Sequence, residues 1–126
     1  MDQKELNSKT IEKELGWLEQ VIEARFNLYF DQKTNIKEVF EIQPPKLDGD
    51  SSVYAEVIKY YNFSFSERLL IILTLAPHIK PRVLDIFFNK NETLNRGFTE
   101  FGGIKGATHG GFIPTGETAS FLIAGE

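Results

Sequence analysis

An almost wholly apolar stretch from Leu69 to Leu75, interrupted only by Thr74, constrains most strongly how this chain can fold. A helix-start signal stands just before it, because the segment Ser64 to Glu67 reads Ser-Phe-Ser-Glu and fits a capping box. In such a box the serine hydroxyl accepts the glutamate N–H and the glutamate side chain accepts the serine N–H. Since a helix that is apolar nearly all round must be buried, we predict the most buried helix of the domain over residues 66–75, closed by Pro77.

This apolar helix is expected to lie inside a domain and not inside a membrane. Its run of seven residues is far shorter than the roughly twenty that are needed to cross a bilayer. Leu70 and Leu73 are therefore both expected to lie in the core. Replacing either by alanine would leave a cavity that costs about 2–5 kcal/mol.

The first thirty residues predict a long amphipathic helix, with Asn7 or Ser8 as its N-cap. Apolar residues recur along this segment at steps of three or four, which is the period of one helix face. They are Ile11, Leu15, Leu18, Ile22, Phe26 and Tyr29. Such a stripe usually packs on its own domain, and a helix that binds a partner is the alternative.

Two more helices are expected to flank the apolar one, which gives a three-helix core over residues 52–90. The first covers about residues 52–61 and would bury a face of apolar side chains at helical spacing. These side chains are Val53, Val57 and Tyr60 or Tyr61. The last helix starts near Pro81, because proline suits the first turn of a helix.

Glycine is concentrated at the C-terminal end of the chain, where eight of the ten glycines lie at or after Gly97. Glycine at this density disfavours helix, and aromatic residues interleaved with it suit a short twisted hairpin. We predict a glycine-rich hairpin, or wing, over residues 97–114. A terminal helix capped by Thr115 is expected to follow over residues 115–126.

The predicted elements add up to a mainly α fold. We expect one domain over residues 1–126, with about five helices and a small glycine-rich β-hairpin in winged-helix-like order. Apolar residues at 41% and charged residues at 25% are ordinary values for a globular domain. Because the first residues do not have the charged-then-apolar pattern of a secretion signal, a cytoplasmic location is expected.

No constellation in the sequence points to catalysis, so we expect no enzyme activity, no cofactor and no metal. The segment Gly102 to Gly111 resembles a phosphate-binding loop only in its glycines, since that loop requires Lys-Ser or Lys-Thr directly after its last glycine. The two histidines, His78 and His109, are far apart in the sequence, and cysteine is absent. A small enzyme with His109 as its base is an alternative that would need a pocket and an orienting acid.

The predicted order of three helices and a wing requires DNA binding to be considered. The helix that would enter the groove, residues 80–90, has three basic residues, but its centre is apolar and carries Asp85. A groove-reading helix normally presents several Arg, Lys, Asn or Gln side chains on one face, and the net charge of this chain is −4. A DNA-binding winged-helix regulator is therefore the alternative hypothesis.

Two stretches of the chain resemble a known family: Phe63 to Pro77 (FSFSERLLIILTLAP) and Gly110 to Ala119 (GGFIPTGETA). Both are similar to the N-terminal region of bacterial AAA-type ATPases associated with contractile, phage-tail-like injection systems. The resemblance covers about residues 50–126 and implies a winged-helix-like, non-catalytic adaptor domain that recruits substrate proteins for an ATPase module in the full-length chain. It transfers no catalytic residue. Because no Walker motif occurs in the sequence, we expect neither binding nor hydrolysis of ATP.

The glycine-rich loop is the candidate partner-binding site. Between about Gly102 and Gly111 it contains one bulky apolar residue, Ile104, so its tip has little to bury. We predict a mobile tip that offers polar side chains to a protein partner. The candidate contacts are Lys105, Thr108 and His109. A purely structural wing is the alternative, and it would move the interface to the N-terminal helix.

Overall fold

The structure is a computed structural model and describes residues 2–30, 36–85, 104–105 and 112–124. Its helices are α1 (Gln3–Tyr29), α2 (Val53–Tyr61), α3 (Phe65–Ile79) and α4 (Gly116–Ala124), with 3-10 turns at Val39–Glu41 and Pro81–Leu84. Two short strands, β1 (Ile104–Lys105) and β2 (Phe112–Ile113), pair antiparallel with Ile104 opposite Ile113. The described part of the chain is mainly helical, as the sequence predicted.

Some sequence predictions fall outside the described residues. They are the continuation of the third core helix beyond Asp85 and most of the glycine-rich segment, including Thr108 and His109. What the structure describes of the third helix is the 3-10 turn Pro81–Leu84, which has proline in its first turn as expected.

Helix α1 is the long N-terminal helix that the sequence predicted, but its cap lies earlier in the chain. The Asp2 carboxylate accepts the backbone N–H of Glu5 at 2.9 Å, so the prediction of Asn7 or Ser8 as N-cap is wrong. Asn7 caps another helix instead, because its side-chain oxygen accepts the Tyr54 N–H at 2.8 Å in the first turn of α2. Asp2 is the N-cap rather than Asn7 or Ser8 because a carboxylate interacts favourably with the positive end of a helix, and no residue after Asp2 interrupts the helix.

Helix α2 has the predicted bounds, but it buries a different face from the one predicted. Its buried side chains are Tyr54, Ala55 and Ile58, whereas Val53, Val57 and both tyrosines considered for the predicted face are exposed. These exposed residues are Val53, Val57, Tyr60 and Tyr61. The apolar side chains extend round more than half of the helix, so the sequence could not tell which part of this surface packs against α1 and α3.

Helix α3 begins with the predicted capping box. The Ser64 hydroxyl accepts the Glu67 N–H at 3.3 Å, and the Glu67 carboxylate accepts the Ser64 N–H at 3.0 Å. The helix then continues through Pro77 to Ile79, so the prediction that Pro77 closes it is wrong. Proline removes one backbone donor in the last turn, and the following turn still closes through the Lys80 N–H on the Ala76 carbonyl.

The expectation that α3 is the most buried helix is also wrong. Ten residues of α1 are buried against five of α3, and α1 packs against each of the other three helices. Leu70 is 45% exposed on the outer side of α3, whereas Leu73 is 3% exposed and lies in the core. The apolar run therefore has a solvated side despite its composition.

The two leucines of α3 should respond differently to truncation. Leu73→Ala leaves a cavity among buried neighbours and should lower the free energy of unfolding by about 2–5 kcal/mol. Leu70→Ala removes a half-exposed side chain and should cost less than about 1 kcal/mol, which replaces the equal cost expected from the sequence. Urea denaturation of the two variants measures both values. If both variants lose the same free energy of unfolding, Leu70 lies in the core.

Helix α4 is held on α1 by aromatic packing and by one buried arginine. Phe121 and Leu122 are fully buried, and the Phe121 ring lies 5.4 Å from the Phe26 ring. Arg25 of α1 donates Nε to the Leu122 carbonyl at 3.0 Å and Nη2 to the Ile123 carbonyl at 2.8 Å. Because the last carbonyls of a helix have no intrahelical partner, this arginine serves as the C-cap of α4 from a distant part of the chain.

Candidate interaction surface

A buried polar cluster joins α1, α2 and α3. We call it the Glu14 cluster; it comprises Glu14, Tyr54, Arg68 and the carbonyl of Pro45. Glu14 is 0% exposed, and its carboxylate accepts Arg68 Nε at 3.1 Å and Arg68 Nη2 in a two-pronged ion pair. The Tyr54 hydroxyl donates to Glu14 Oε2 at 3.0 Å, and Arg68 Nη2 also donates to the Pro45 carbonyl at 2.7 Å. Both carboxylate oxygens are therefore occupied.

The Glu14 cluster supports the fold and does not resemble a catalytic centre. Arg68 lies over the Trp17 ring at 5.9 Å, and the Trp17 indole N–H donates to the Ile42 carbonyl at 2.9 Å. A general base must reach a substrate proton, but this carboxylate is closed off by its own partners. What the cluster does is fix α2 on α1 through polar contacts whose charges would be costly to separate.

Tyr54 provides a pH-dependent test of this cluster. Burial, and then the charge of Glu14, raise the pKa of the Tyr54 hydroxyl well above its usual value near 10. We expect the Tyr54 ring signals in an NMR titration to remain those of the neutral phenol at pH 11. Because the pKa of Tyr54 is raised in the folded protein, the unfolded chain ionises first as the pH rises. The stability that the neutral Tyr54 contributes is therefore present below about pH 10, and the free energy of unfolding should fall above that pH by up to about 1.4 kcal/mol per pH unit.

The control for this titration is Tyr54→Phe, which assigns the signal and should remove that part of the alkaline slope of the unfolding free energy. A Tyr54 midpoint near pH 10 in the folded protein would contradict the buried hydrogen bond to Glu14.

The loop before α2 is held on α1 by Asp50. Its carboxylate accepts the Thr10 hydroxyl at 2.6 Å and the Ser52 N–H at 2.9 Å. The hydrogen bond from Thr10 is the main reason that the pKa of Asp50 lies below its usual value. Lys59 of α2 donates to the Asp50 carbonyl at 2.8 Å. The start of α2, and with it the direction of each α2 side chain, is thus fixed from α1.

The side of α2 that points away from α1 and α3 carries large apolar side chains. We call it the outward face of α2 and define it by four exposed residues: Val53 (52%), Val57 (42%), Tyr60 (81%) and Tyr61 (63%). The Tyr60 and Tyr61 rings meet edge to face at 4.9 Å, and the Tyr61 ring stacks on Phe63 at 5.6 Å. Tyr60 and Tyr61 remain exposed, whereas Phe63 is half-buried.

The aromatic end of this face depends on how α2 terminates. Asn62 adopts the left-handed conformation (φ 50°), and the Phe63 N–H donates back to the Ile58 carbonyl at 3.3 Å. This is the pattern of a Schellman motif with asparagine at the left-handed position. The chain therefore turns sharply, and Phe63 returns to support the Tyr61 ring.

An open depression of about 440 Å³ runs along the outward face of α2. Its polar lining consists of Gln3, Ser51 and Glu56, and Gln3 Nε2 donates to the Ser51 carbonyl at 3.1 Å. Glu56 is the one charged residue among the lining residues, and it forms an exposed ion pair with Lys59 at 3.4 Å. The surface thus combines an apolar centre with a small polar rim.

A second depression, of about 290 Å³, lies between α3 and α4. Leu70 is the large apolar side chain that is exposed there, and His78 lies at its edge. His78 is exposed. This depression presents fewer exposed large apolar side chains than the outward face of α2, so it is the weaker candidate surface.

Of the three predicted partner-binding residues, the structure describes Lys105 alone. Lys105 belongs to β1 and pairs with Phe112, whereas Thr108 and His109 lie outside the described residues. Sequence reasoning missed the outward face of α2 because it assigned those residues to the core. The available signal was that Tyr54 and Ile58, four residues apart, form a second apolar stripe on the same helix.

Comparisons with family models, with curated proteins and with solved structures found no match. Within the described ranges, no group of three or more His, Asp or Glu side chains is placed to hold a metal ion. Within the same ranges, none of the helices combines the length and the apolar character needed to cross a membrane.

Proposed function

We propose that this chain is a non-catalytic adaptor or substrate-recruitment domain that binds protein through the outward face of α2. The observation that carries the proposal is that the apolar side chains of a nine-residue helix extend round more than half of it, and only part of this apolar surface is buried in the domain. A helix with so wide an apolar surface usually has all of that surface covered. The uncovered side therefore fits a surface that a partner completes.

The side chains on this face are of the kind that dominate binding energy. Tyrosine is enriched among the few interface residues that contribute most, since it combines a large apolar ring with a hydroxyl. Fully burying a Val-sized side chain contributes about 1.5–3 kcal/mol, and Val53 and Val57 each retain much of that potential. Because their rotamers are restricted at χ1, ordering them on binding costs little entropy.

The resemblance supports a more specific form of the proposal. Its first stretch begins one residue before the capping box of α3, and its second spans the segment from β2 into α4. We propose that the paired strands belong to a glycine-rich wing in a winged-helix-like domain. On this proposal the domain recruits substrates for an AAA-type ATPase of the kind associated with contractile injection systems.

A photo-crosslinking amino acid at position 60 tests the binding role in the cells from which the protein comes. We expect a discrete adduct with another protein, identified by mass spectrometry. The matched control carries the same amino acid at Glu23, an exposed residue of α1, and should not give that adduct. Adding Val57→Asp should reduce the adduct at position 60 at least tenfold. The proposal fails if position 60 gives no protein adduct or only the one seen at position 23.

The alternative of a DNA-binding regulator makes a different prediction for the same preparation. It requires binding to duplex DNA that weakens steeply with salt, because phosphate contacts release counterions. Salt-dependent binding to duplex DNA, together with no crosslinked adduct at position 60, would favour the DNA-binding regulator.

A further inference from the structure

The size of the outward face of α2 restricts what can bind it. A nine-residue helix is about 13 Å long, and the face has four large apolar side chains. Stable protein dimers bury about 800 Å² on each partner, which usually involves twenty or more residues a side. A second copy of this chain bound through this face alone would fall well short of that area. The face instead suits a short segment of a partner.

The shape of the face favours a helical segment over an extended one. Proline-rich extended ligands insert into slots between aromatic rings. Here the Tyr60 and Tyr61 rings contact each other edge to face at 4.9 Å, so no slot separates them. The face instead carries an open depression with Val53 and Val57 along it, and a depression of this kind can accept the apolar face of an amphipathic helix.

The charge on the rim indicates what should flank the apolar stripe of that helix. Glu56 is the charged residue that lines the depression, and its side chain is 61% exposed. Its neighbour Lys59 lies 3.4 Å from the Glu56 carboxylate and also donates to the Asp50 carbonyl at 2.8 Å, so one ammonium group is shared between two acceptors. A ligand that places a cation beside Glu56 would therefore gain a partner on the rim.

We propose that the outward face of α2 binds a short amphipathic helix of a partner protein, with a Lys or Arg beside its apolar stripe facing Glu56. This inference rests on the proposed function, because it names the class of protein segment that the adaptor would recruit. The apolar stripe supplies the attraction, and the charge pair sets the orientation of the helix and excludes acidic segments.

Selection from a random library of sixteen-residue peptides displayed on phage, against the whole chain, tests the ligand class. We expect enriched peptides with apolar residues at positions i, i+3 or i+4, and i+7, flanked by Lys or Arg. Their binding should fall at least tenfold in Val57→Asp. In Glu56→Lys the enriched flanks should change to Asp or Glu, while Glu56→Gln should weaken the basic preference without reversing it.

Other outcomes overturn the inference. Enrichment of proline-rich peptides, enrichment of acidic flanks on the unaltered chain, binding unaffected by Val57→Asp, or no enrichment would each do so. The crosslink at position 60 separates this failure from failure of the adaptor role. If position 60 crosslinks to another protein but no helical peptide is enriched, the adaptor role stands and the proposed helical ligand is rejected. If position 60 crosslinks only to a second copy of this chain, both proposals are rejected.

Discussion

Arg68→Met is expected to lower the free energy of unfolding by about 3–5 kcal/mol, as measured by urea denaturation at pH 7. The variant keeps most of the apolar volume of the side chain but leaves the fully buried Glu14 carboxylate without its cation. Tyr54 alone would then donate to that charge. An uncompensated buried charge is costly because the interior cannot replace the water that it has lost.

The control for Arg68→Met removes the whole set of charges. The triple variant Glu14→Leu, Tyr54→Phe, Arg68→Met replaces the cluster by apolar side chains of similar volume, and should be more stable than Arg68→Met alone. If Arg68→Met unfolds within about 1 kcal/mol of the unaltered chain, the Glu14 carboxylate is not buried as the structure describes.

Phe121→Ala is expected to cost about 3–5 kcal/mol, by the same measurement. The Phe121 ring is fully buried in α4 and lies 5.4 Å from Phe26 and 5.2 Å from Tyr29, both in α1. Its removal leaves a cavity between the first and last helices of the chain. Phe121→Leu fills part of that cavity and should cost clearly less. A loss below about 1 kcal/mol for the alanine variant would mean that α4 is not part of the core.

Local signals in the sequence predicted much of the helical framework. The capping box of Ser64 and Glu67 marks the start of α3 within one residue, because both partners of that motif lie three positions apart. The approximate bounds of α2 and α4 follow from apolar periodicity and end signals in the same way. The N-cap of α1 was misplaced, since Asp2, Asn7 and Ser8 are all acceptable caps by residue type.

Features set by distant contacts could not be predicted from spacing. Glu14 meets Tyr54 forty positions later and Arg68 fifty-four positions later, so no local window contains the cluster. From the sequence, Glu14 was one of many acidic residues on an amphipathic helix. Arg25 likewise had no visible partner, because its acceptors are carbonyls of Leu122 and Ile123.

The sequence of α2 also could not predict which part of this helix faces outward as the candidate surface. Two neighbouring parts of the apolar surface of α2 have the spacing of a buried stripe, and which part packs inward depends on Asn7 and Asp50, which fix the start of the helix from outside it. Once Tyr54 is directed at Glu14, Ala55 and Ile58 are buried with it, and the side that carries Val53 and Tyr60 faces outward. The polar cluster therefore determines where the candidate interaction surface lies.

The free energies of unfolding of Val57→Asp and Ile58→Asp, measured side by side, test this division of α2 most directly. The two residues are neighbours, but Val57 belongs to the outward face and Ile58 is buried. We expect Val57→Asp to change the unfolding free energy by less than about 0.5–1 kcal/mol, and Ile58→Asp to cost more than about 3 kcal/mol, because it buries an unpaired carboxylate. A large loss for Val57→Asp with a small one for Ile58→Asp would return Val57 to the core and remove the proposed surface.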